Sequence, residues 1–304
     1  MPFCQFVVGP PGSGKSTYCH GLQQFFALSG RPCAVVNLDP GNEAAPYEAT
    51  VDVADLVSLP VVMDELVLGP NGGLLYCLEV LEANLEWLRE KLAPLGEHTY
   101  VLFDLPGQAE LSSCHGALRR VVEYVSRELG YRAAVAHLVD CHVCADPHKY
   151  LSAVVLSLQA MLHLEMPHVN VLTKMDLFHT HVRDGDDPSA TLREYTSPDA
   201  MEHVRAAMHG RADAFSQKHA RLTEALCELV EDFSLVSFAT LDVENAASVK
   251  RLVRAIDKAN GYAMASVELE RFEQIHALAG RAEPGGAGQE AEDLFLRGGG
   301  ATAR

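Results

Sequence analysis

The sequence predicts an α/β fold with a mostly parallel β-sheet and helices on both faces, and two features carry that prediction. Short apolar runs alternate with amphipathic helical segments along the 304 residues, the pattern of a strand–helix–strand chain. The first run leads into Gly9-Pro10-Pro11-Gly12-Ser13-Gly14-Lys15-Ser16-Thr17, a complete G-x-x-x-x-G-K-[ST] phosphate-binding loop.

Phe3 to Val8 is apolar and β-prone, and Ser16 to Leu28 has helical spacing, so the loop joins a strand to a helix start. Cys33 to Leu38, Thr99 to Phe103, Ala133 to Val139, His168 to Leu172 and Ser234 to Phe238 read as further buried strands, each ending in a polar or Gly/Pro cluster. On such a sheet ligands bind outside the carboxyl ends of the strands. The clearest helix follows Gly72-Gly73, with Leu74, Leu78, Leu81, Leu85, Leu88 and Leu92 at three- and four-residue steps. That stripe faces either the core or another subunit. Residues 180–198 are polar and Asp-rich, with Pro188 and Pro198, and are expected to be a surface loop or a poorly ordered insertion. Residues 277–304 turn to Gly and Ala and are expected to be disordered, leaving one domain over 1–276.

The hydrophobic share of 48% allows a real core. With 41 acidic against 24 basic residues and a net charge of −17, direct binding of nucleic acid or an anionic membrane is disfavoured. There is no apolar run of about 18 residues to cross a bilayer. Met1-Pro2-Phe3-Cys4 runs straight into the first strand, so no signal peptide is expected. Eight cysteines without a framework of spacings suit reduced thiols in the cytoplasm. Cys141-His142-Val143-Cys144 is a lone C-x-x-C, a weak zinc signal beside the simpler reading of buried thiols.

Gly12 and Gly14 let the loop backbone curl so that N–H groups, Ser13 and Thr17 among them, converge on a phosphate at the helix start. Lys15 is placed to reach the β- and γ-phosphates, and Ser16 to present its hydroxyl to Mg²⁺. Asp104 closes an apolar run, the usual position of a second Mg²⁺ anchor. In Pro106-Gly107-Gln108-Ala109-Glu110, the Gly107 N–H can sense a γ-phosphate. Gln108 either orients a water or is simply a polar loop residue. Asp39, in Val35-Val36-Asn37-Leu38-Asp39-Pro40, is a water-mediated Mg²⁺ ligand, a base for the attacking water, or a turn cap. Thr173-Lys174-Met175-Asp176 points to guanine. The Asp176 carboxylate can accept from N1–H and the N2 amine, whereas adenine would leave it unpaired. The stem of Lys174 would lie over the base.

In order, G-P-P-G-S-G-K-S-T, V-N-L-D-P, Gly69-Pro70-Asn71, D-L-P-G-Q and T-K-M-D resemble the GPN-loop GTPases, over about Phe3 to Tyr262. Pro46-Tyr47-Glu48, Val51-Asp52-Val53, His137-Leu138-Val139-Asp140 and Asp257-Lys258-Ala259-Asn260-Gly261-Tyr262 are most similar to the GPN-loop GTPase 2 subfamily. The resemblance implies a P-loop NTPase that hydrolyses GTP to GDP with Mg²⁺, as a homodimer or a heterodimer with a paralogue. It implies that Gly69, Pro70 and Asn71 of one subunit enter the other's site, with Asn71 near the γ-phosphate and Gly69 and Gly72 permitting tight turns. Ser237, Phe238 and Ala239 would form a second guanine-contact loop. Asp39, Asn71, Gln108 and Glu110 would form the hydrolysis machinery. The implied role is assembly and nuclear delivery of RNA polymerase II, and of polymerase III, by a cytoplasmic protein that shuttles to the nucleus. Leu105 replaces a cysteine frequent in the family, Gly41 replaces alanine, and 180–198 is more polar than the pattern. Two other classes compete: a scaffold that holds nucleotide with little hydrolysis, and an ATP-dependent phosphotransferase, which Asp176 and Lys174 oppose. Intrinsic turnover is expected to be slow, and a rate above about 10 s⁻¹ would count against the GTPase picture.

Overall fold

The structure, a computed structural model, describes residues 1–264 apart from 43, 109, 112–114, 183–186, 198, 210–213 and 234–235. Met1–Asn260 form one compact unit, and Gly261–Arg304 a second, described only over 261–264. The tail expected over 277–304 lies outside the described residues. Among the described residues no helix is long and apolar enough to cross a membrane.

Seven parallel strands form one sheet: β1 (Phe3–Val8), β2 (Cys33–Asn37), β3 (Ala49–Asp52), β4 (Tyr100–Asp104), β5 (Arg132–Asp140), β6 (His168–Thr173) and β7 (Phe238–Thr240), in the order β3-β2-β4-β1-β5-β6-β7. Every β4 residue is buried. That is why β4 reads as a continuous apolar run rather than an alternating one. The chain leaves central β1 through the helix α1 (Lys15–Leu28) toward β2, and later returns to β1's other side as β5. The strand order therefore reverses at β1, which opens a crevice at its carboxyl end. Val7 pairs with Asp104, Val8 with His137, and Asp140 with Thr173. The phosphate loop, Asp104, Asp140 and Thr173–Asp176 thus share one edge.

Beneath that edge Phe6 and Phe103 stack with ring centroids 4.8 Å apart. Leu78, Leu81, Leu88 and Leu92 are buried against them in the core, each worth about 1.5–3 kcal/mol when fully buried. The leucine stripe is two helices, Pro70–Ala83 and Leu85–Leu92. Asn84 ends the first at φ −121° and ψ 39°, and its Nδ2 donates to Val80 O at 2.8 Å. An amide side chain that competes for the last carbonyls is a sound reason for a break there.

Three boundaries differ from the sequence expectation. β3 was not expected, because Ala49–Asp52 is a short edge strand with two polar residues. The last strand begins at Phe238 instead of spanning Ser234 to Phe238, and 234–235 are outside the described residues. The segment 180–198 contains a helix, Pro188–Thr196, capped by Asp187, whose carboxylate accepts from Ser189 N at 3.0 Å. Pro188 suggested a loop but stands in the helix's first turn, where proline fits. Tyr195 anchors that helix: its ring lies 4.6 Å from Tyr150's, and Tyr150 OH donates to Tyr195 O at 2.5 Å.

Candidate functional site

Gly12 and Gly14 adopt φ of 76° and 89°, values that side-chain-bearing residues take only with strain. Gly14 is the N-cap of α1, so the loop N–H groups lie at the positive end of a 14-residue helix. Lys15 is buried, and its Nζ donates to Gly9 O at 3.1 Å and Pro10 O at 3.3 Å. Burial lowers its pKa, opposed by Asp104 and Asp39. A buried ammonium held by two carbonyls is well prepared to exchange them for phosphate oxygens. The loop borders a 620 Å³ cavity lined by Gly12, Gly14, Lys15, Ser16, Thr17, Asp39, Asn42, Asn71, Gly107, Gln108 and Lys174 among others. Ser13 is buried beneath the loop and does not line that cavity.

Ser16 Oγ donates to Asp104 Oδ2 at 2.8 Å, so β4 brings the two expected metal ligands into contact. Tyr47 OH donates to the same oxygen at 2.8 Å. Among the described residues Asp104 Oδ1 is buried without a hydrogen-bond partner. Burial raises the Asp104 pKa, against the hydrogen bonds of Tyr47 and Ser16. A buried carboxylate with one orphan oxygen beside a hydroxyl is chemistry that fits Mg²⁺, a hard cation that takes oxygen ligands.

Two residues to which the sequence reading gave no role in the site complete this corner. Asn42 Nδ2 donates to Ser16 Oγ at 3.0 Å, and Tyr47 packs its hydroxyl on Asp104. Asn37 Nδ2 donates to Asp52 Oδ2 at 3.0 Å, and its Oδ1 accepts from Asp39 N at 3.1 Å, fixing the end of β2. In the sequence Tyr47 stood out only within Pro46-Tyr47-Glu48, with no role in the site attached. Asp39 borders the cavity, yet its Oδ1 accepts from Gly41 N at 2.9 Å. One oxygen is thus committed to the turn cap. Burial raises this carboxyl's pKa, against that hydrogen bond and Lys15.

The Gly-Pro-Asn tripeptide is a helix start, not a loop. Gly69 is the N-cap at φ −71°, Pro70 opens the helix, and Gly72 lies inside it. Neither Gly69 nor Gly72 has positive φ, so the expected tight turns are absent. Pro70 suits the first turn because its missing N–H would be unpaired there anyway. Gly69 and Pro70 are exposed and do not line the cavity. Asn71 does, and its Oδ1 accepts from Gln108 Nε2 at 2.9 Å in the same chain. Gly107 lies so close that a Cβ there would stand 2.7 Å from Lys15 Nζ. Glu110, expected in the hydrolysis machinery, has an exposed side chain that does not border the cavity.

At the other end, Thr173 Oγ1 donates to Ser13 O at 2.8 Å, tying β6 to the phosphate loop. Lys174 is left-handed at φ 57°. Its Nζ meets Asp140 Oδ2 at 2.6 Å, and its carbonyl accepts from Cys141 Sγ at 3.1 Å. Met175 and Asp176 follow in a short helical turn, with Asp176 exposed. The expected second guanine loop is displaced. Phe238 pairs with Asn170 and Ala239 with Val171, inside the sheet and short of the carboxyl edge. Ser237 and Phe238 instead line a separate 380 Å³ cavity with Tyr150 and Tyr195. The residues level with Lys174 are those after β7, where Leu241 O accepts from Met175 N at 3.2 Å.

A phosphate loop, a Ser–Asp pair and a T-K-M-D strand end on a parallel sheet define a P-loop nucleoside triphosphatase with guanine-type base residues. A family model described as "Conserved hypothetical ATP binding protein" matches residues 7–262. The chain is 44% identical to GPN-loop GTPase QQT1 of Arabidopsis thaliana over 93% of both chains. It is 44% identical to GPN-loop GTPase 2 of Danio rerio, covering 92% of this chain and 87% of that one. With GPN-loop GTPase 2 of Saccharomyces cerevisiae it shares 40%, over 88% and 77%. The crystal structure of PAB0955, a GTPase in apo form from Pyrococcus abyssi, superposes with a TM-score of 0.65 at 23% identity, covering 84% of this chain and 97% of that chain, which bears on the fold alone. The chain belongs to the GPN-loop GTPase family, most like GPN-loop GTPase 2, and is a GTPase.

Proposed function

We propose that this site hydrolyses GTP to GDP and phosphate with Mg²⁺, that the working form is a dimer, and that the cycle serves assembly and nuclear delivery of RNA polymerase II and III by a cytoplasmic protein that shuttles to the nucleus. The observation that carries the catalytic reading is the direct Ser16–Asp104 contact beside buried Lys15, under one cavity with Gly107 and Gln108. Ser16 and Asp104 would hold Mg²⁺, which supplies charge neutralisation between the phosphates. Lys15 turns from its loop carbonyls to the phosphate oxygens. The Gly107 N–H reads the γ-phosphate, and Gln108 holds a water with its amide. Catalysis is then positioning and charge stabilisation, with little covalent work for the protein. Asp176 and Lys174 select guanine, against the ATP of the family model's description.

Support for the dimer lies around the Gly-Pro-Asn start. Val61, Leu66, Val67 and Tyr76 are exposed there, Val67 at 89%, an apolar surface of the kind that partners cover. Asn71 pairs with Gln108 of its own chain in this structure; in the dimer it would leave that bond for the partner's phosphate. The partner is a second copy or a paralogue. Sedimentation with GDP and with a transition-state analogue tests this: a shift to dimer with the analogue is expected, and a monomer throughout would sink it. Affinity capture of assembling polymerase subunits tests the client reading, and loss of capture in Lys15→Ala is the expected result. Capture that ignores nucleotide would contradict a GTP-driven cycle.

A further inference from the structure

We propose that Asp140, Cys141 and His181 form a binding site for a zinc-class divalent ion, and that the ion opposes guanine binding by taking both anchors of Lys174. One ligand atom from each of the three residues lies within 4.8 Å of the others. The set of one carboxylate oxygen, one thiol sulfur and one imidazole nitrogen suits a borderline-soft ion such as Zn²⁺ more than Mg²⁺ or Ca²⁺. The donors sit on firm supports. Asp140 closes β5, Cys141 opens the short helical turn Cys141–Ala145 that follows it, and His181 ends the short helix Phe178–His181, whose Phe178 is buried. Cys144 is not part of the cluster, so the C-x-x-C spacing is incidental. Drawing three donors together around a tetrahedral ion takes movements of about an ångström, and the fourth position is left for water.

Asp140 already serves a cation. Its Oδ2 holds the Lys174 ammonium at 2.6 Å, while its Oδ1 accepts from His142 N at 3.0 Å, which orients the carboxylate. An arriving ion would replace one cation by another and leave the carboxylate paired. On coordination the Cys141 thiol gives its proton to solvent as the S–metal bond forms. The bond from Cys141 Sγ to Lys174 O, 3.1 Å in this structure, is then lost. The Lys174 ammonium turns to water. Lys174, whose backbone is left-handed at φ 57°, then loses both contacts. Because linkage is reciprocal, an ion that releases Lys174 weakens guanine nucleotide, and bound nucleotide weakens the ion. This second half rests on the guanine reading of Lys174; the existence of the site does not.

The test is a Co²⁺ titration of the nucleotide-free protein, followed by near-ultraviolet thiolate-to-cobalt absorption, with Zn²⁺ as competitor. One ion per chain is expected, displaced by Zn²⁺. Cys141→Ser should abolish the band, and His181→Ala, a change at a half-buried position that leaves the sheet intact, should weaken binding about tenfold or more. No band at millimolar Co²⁺, or a band that survives both substitutions, overturns the site. A fluorescent GDP analogue is then titrated with and without Zn²⁺. Weakening of about tenfold in the wild type, absent in His181→Ala, is the expected result. A cobalt band with unchanged guanine affinity keeps the site and overturns the linkage. Failure of the analogue to bind even with chelator overturns the guanine reading itself.

Discussion

Replacing Thr173 by valine removes one hydroxyl and almost nothing else. Thr173 is 4% exposed, and its Oγ1 stands 2.8 Å from Ser13 O and 3.2 Å from Val139 O. A hydroxyl has one proton, so the shorter bond to the phosphate loop carries the donation. Valine keeps the shape but leaves the Ser13 carbonyl without that partner, at a cost of about 1–2 kcal/mol. For a domain of this size each kcal/mol moves Tm by about 2–4 °C, so a fall of about 2–8 °C is expected in thermal unfolding. The bond also joins the base strand to the phosphate loop. If that junction pre-arranges both halves of the nucleotide site, GDP affinity should fall by up to about tenfold, equivalent to 1.4 kcal/mol. Calorimetric titration of GDP beside the melting curve separates the two effects. Unchanged Tm and unchanged affinity would refute the energetic value assigned to the bond. A lower Tm with wild-type affinity would refute the coupling between loop and base strand.

Asp176→Asn should lower GTP preference about a hundredfold and admit xanthosine triphosphate; competition binding that still favours guanine would contradict the base contact. Asp104→Asn should abolish Mg²⁺-dependent phosphate release, as should chelation of Mg²⁺. Burial raises the Asp104 carboxyl above its ordinary value of 3.8, so the folded state holds this proton more readily than the unfolded one. The group therefore detracts from stability as pH rises above 3.8 toward the raised value. Removing its charge should raise Tm of the nucleotide-free protein at neutral pH and flatten that pH window, and an unchanged pH profile of melting would count against it. Gly107→Ala places a methyl 2.7 Å from Lys15 Nζ and 3.2 Å from Pro11 Cα. Hydrolysis should fall about tenfold or more with Tm little moved, since the lysine end can shift; wild-type turnover would show that the close approach is irrelevant to reaction.

The central fold was legible because a strand buried on both faces leaves an unmistakable run: Phe3 to Val8 matched β1 to the residue. β3 was not, because an edge strand buries one side only and Ala49–Asp52 carries two polar residues in four. Asn84 hid a helix break, since the leucine spacing on either side continues across it. At the site, residues of the phosphate loop could be placed because one local motif sets their geometry. Tyr47 and Asn42 could not, because they reach Asp104 from a turn 57 to 62 residues away, and no local pattern encodes that meeting. Ser237–Ala239 failed for a related reason. Which residue reaches the carboxyl edge depends on strand register, and the pairing of Phe238 with Asn170 keeps all three within or before the strand. Glu110 was drawn in by proximity in sequence to Gln108, but its side chain is exposed and does not border the cavity.

Phosphate release by the purified protein, with GTP beside ATP, with and without Mg²⁺, and over a range of protein concentrations, is the decisive measurement of GTP hydrolysis at this site. Release from GTP alone, dependent on Mg²⁺ and rising in specific activity with concentration, is the predicted result. Equal release from ATP would contradict the roles given to Lys174 and Asp176, and no release at any concentration, despite tight GTP binding, would contradict hydrolysis at the Ser16–Asp104 site.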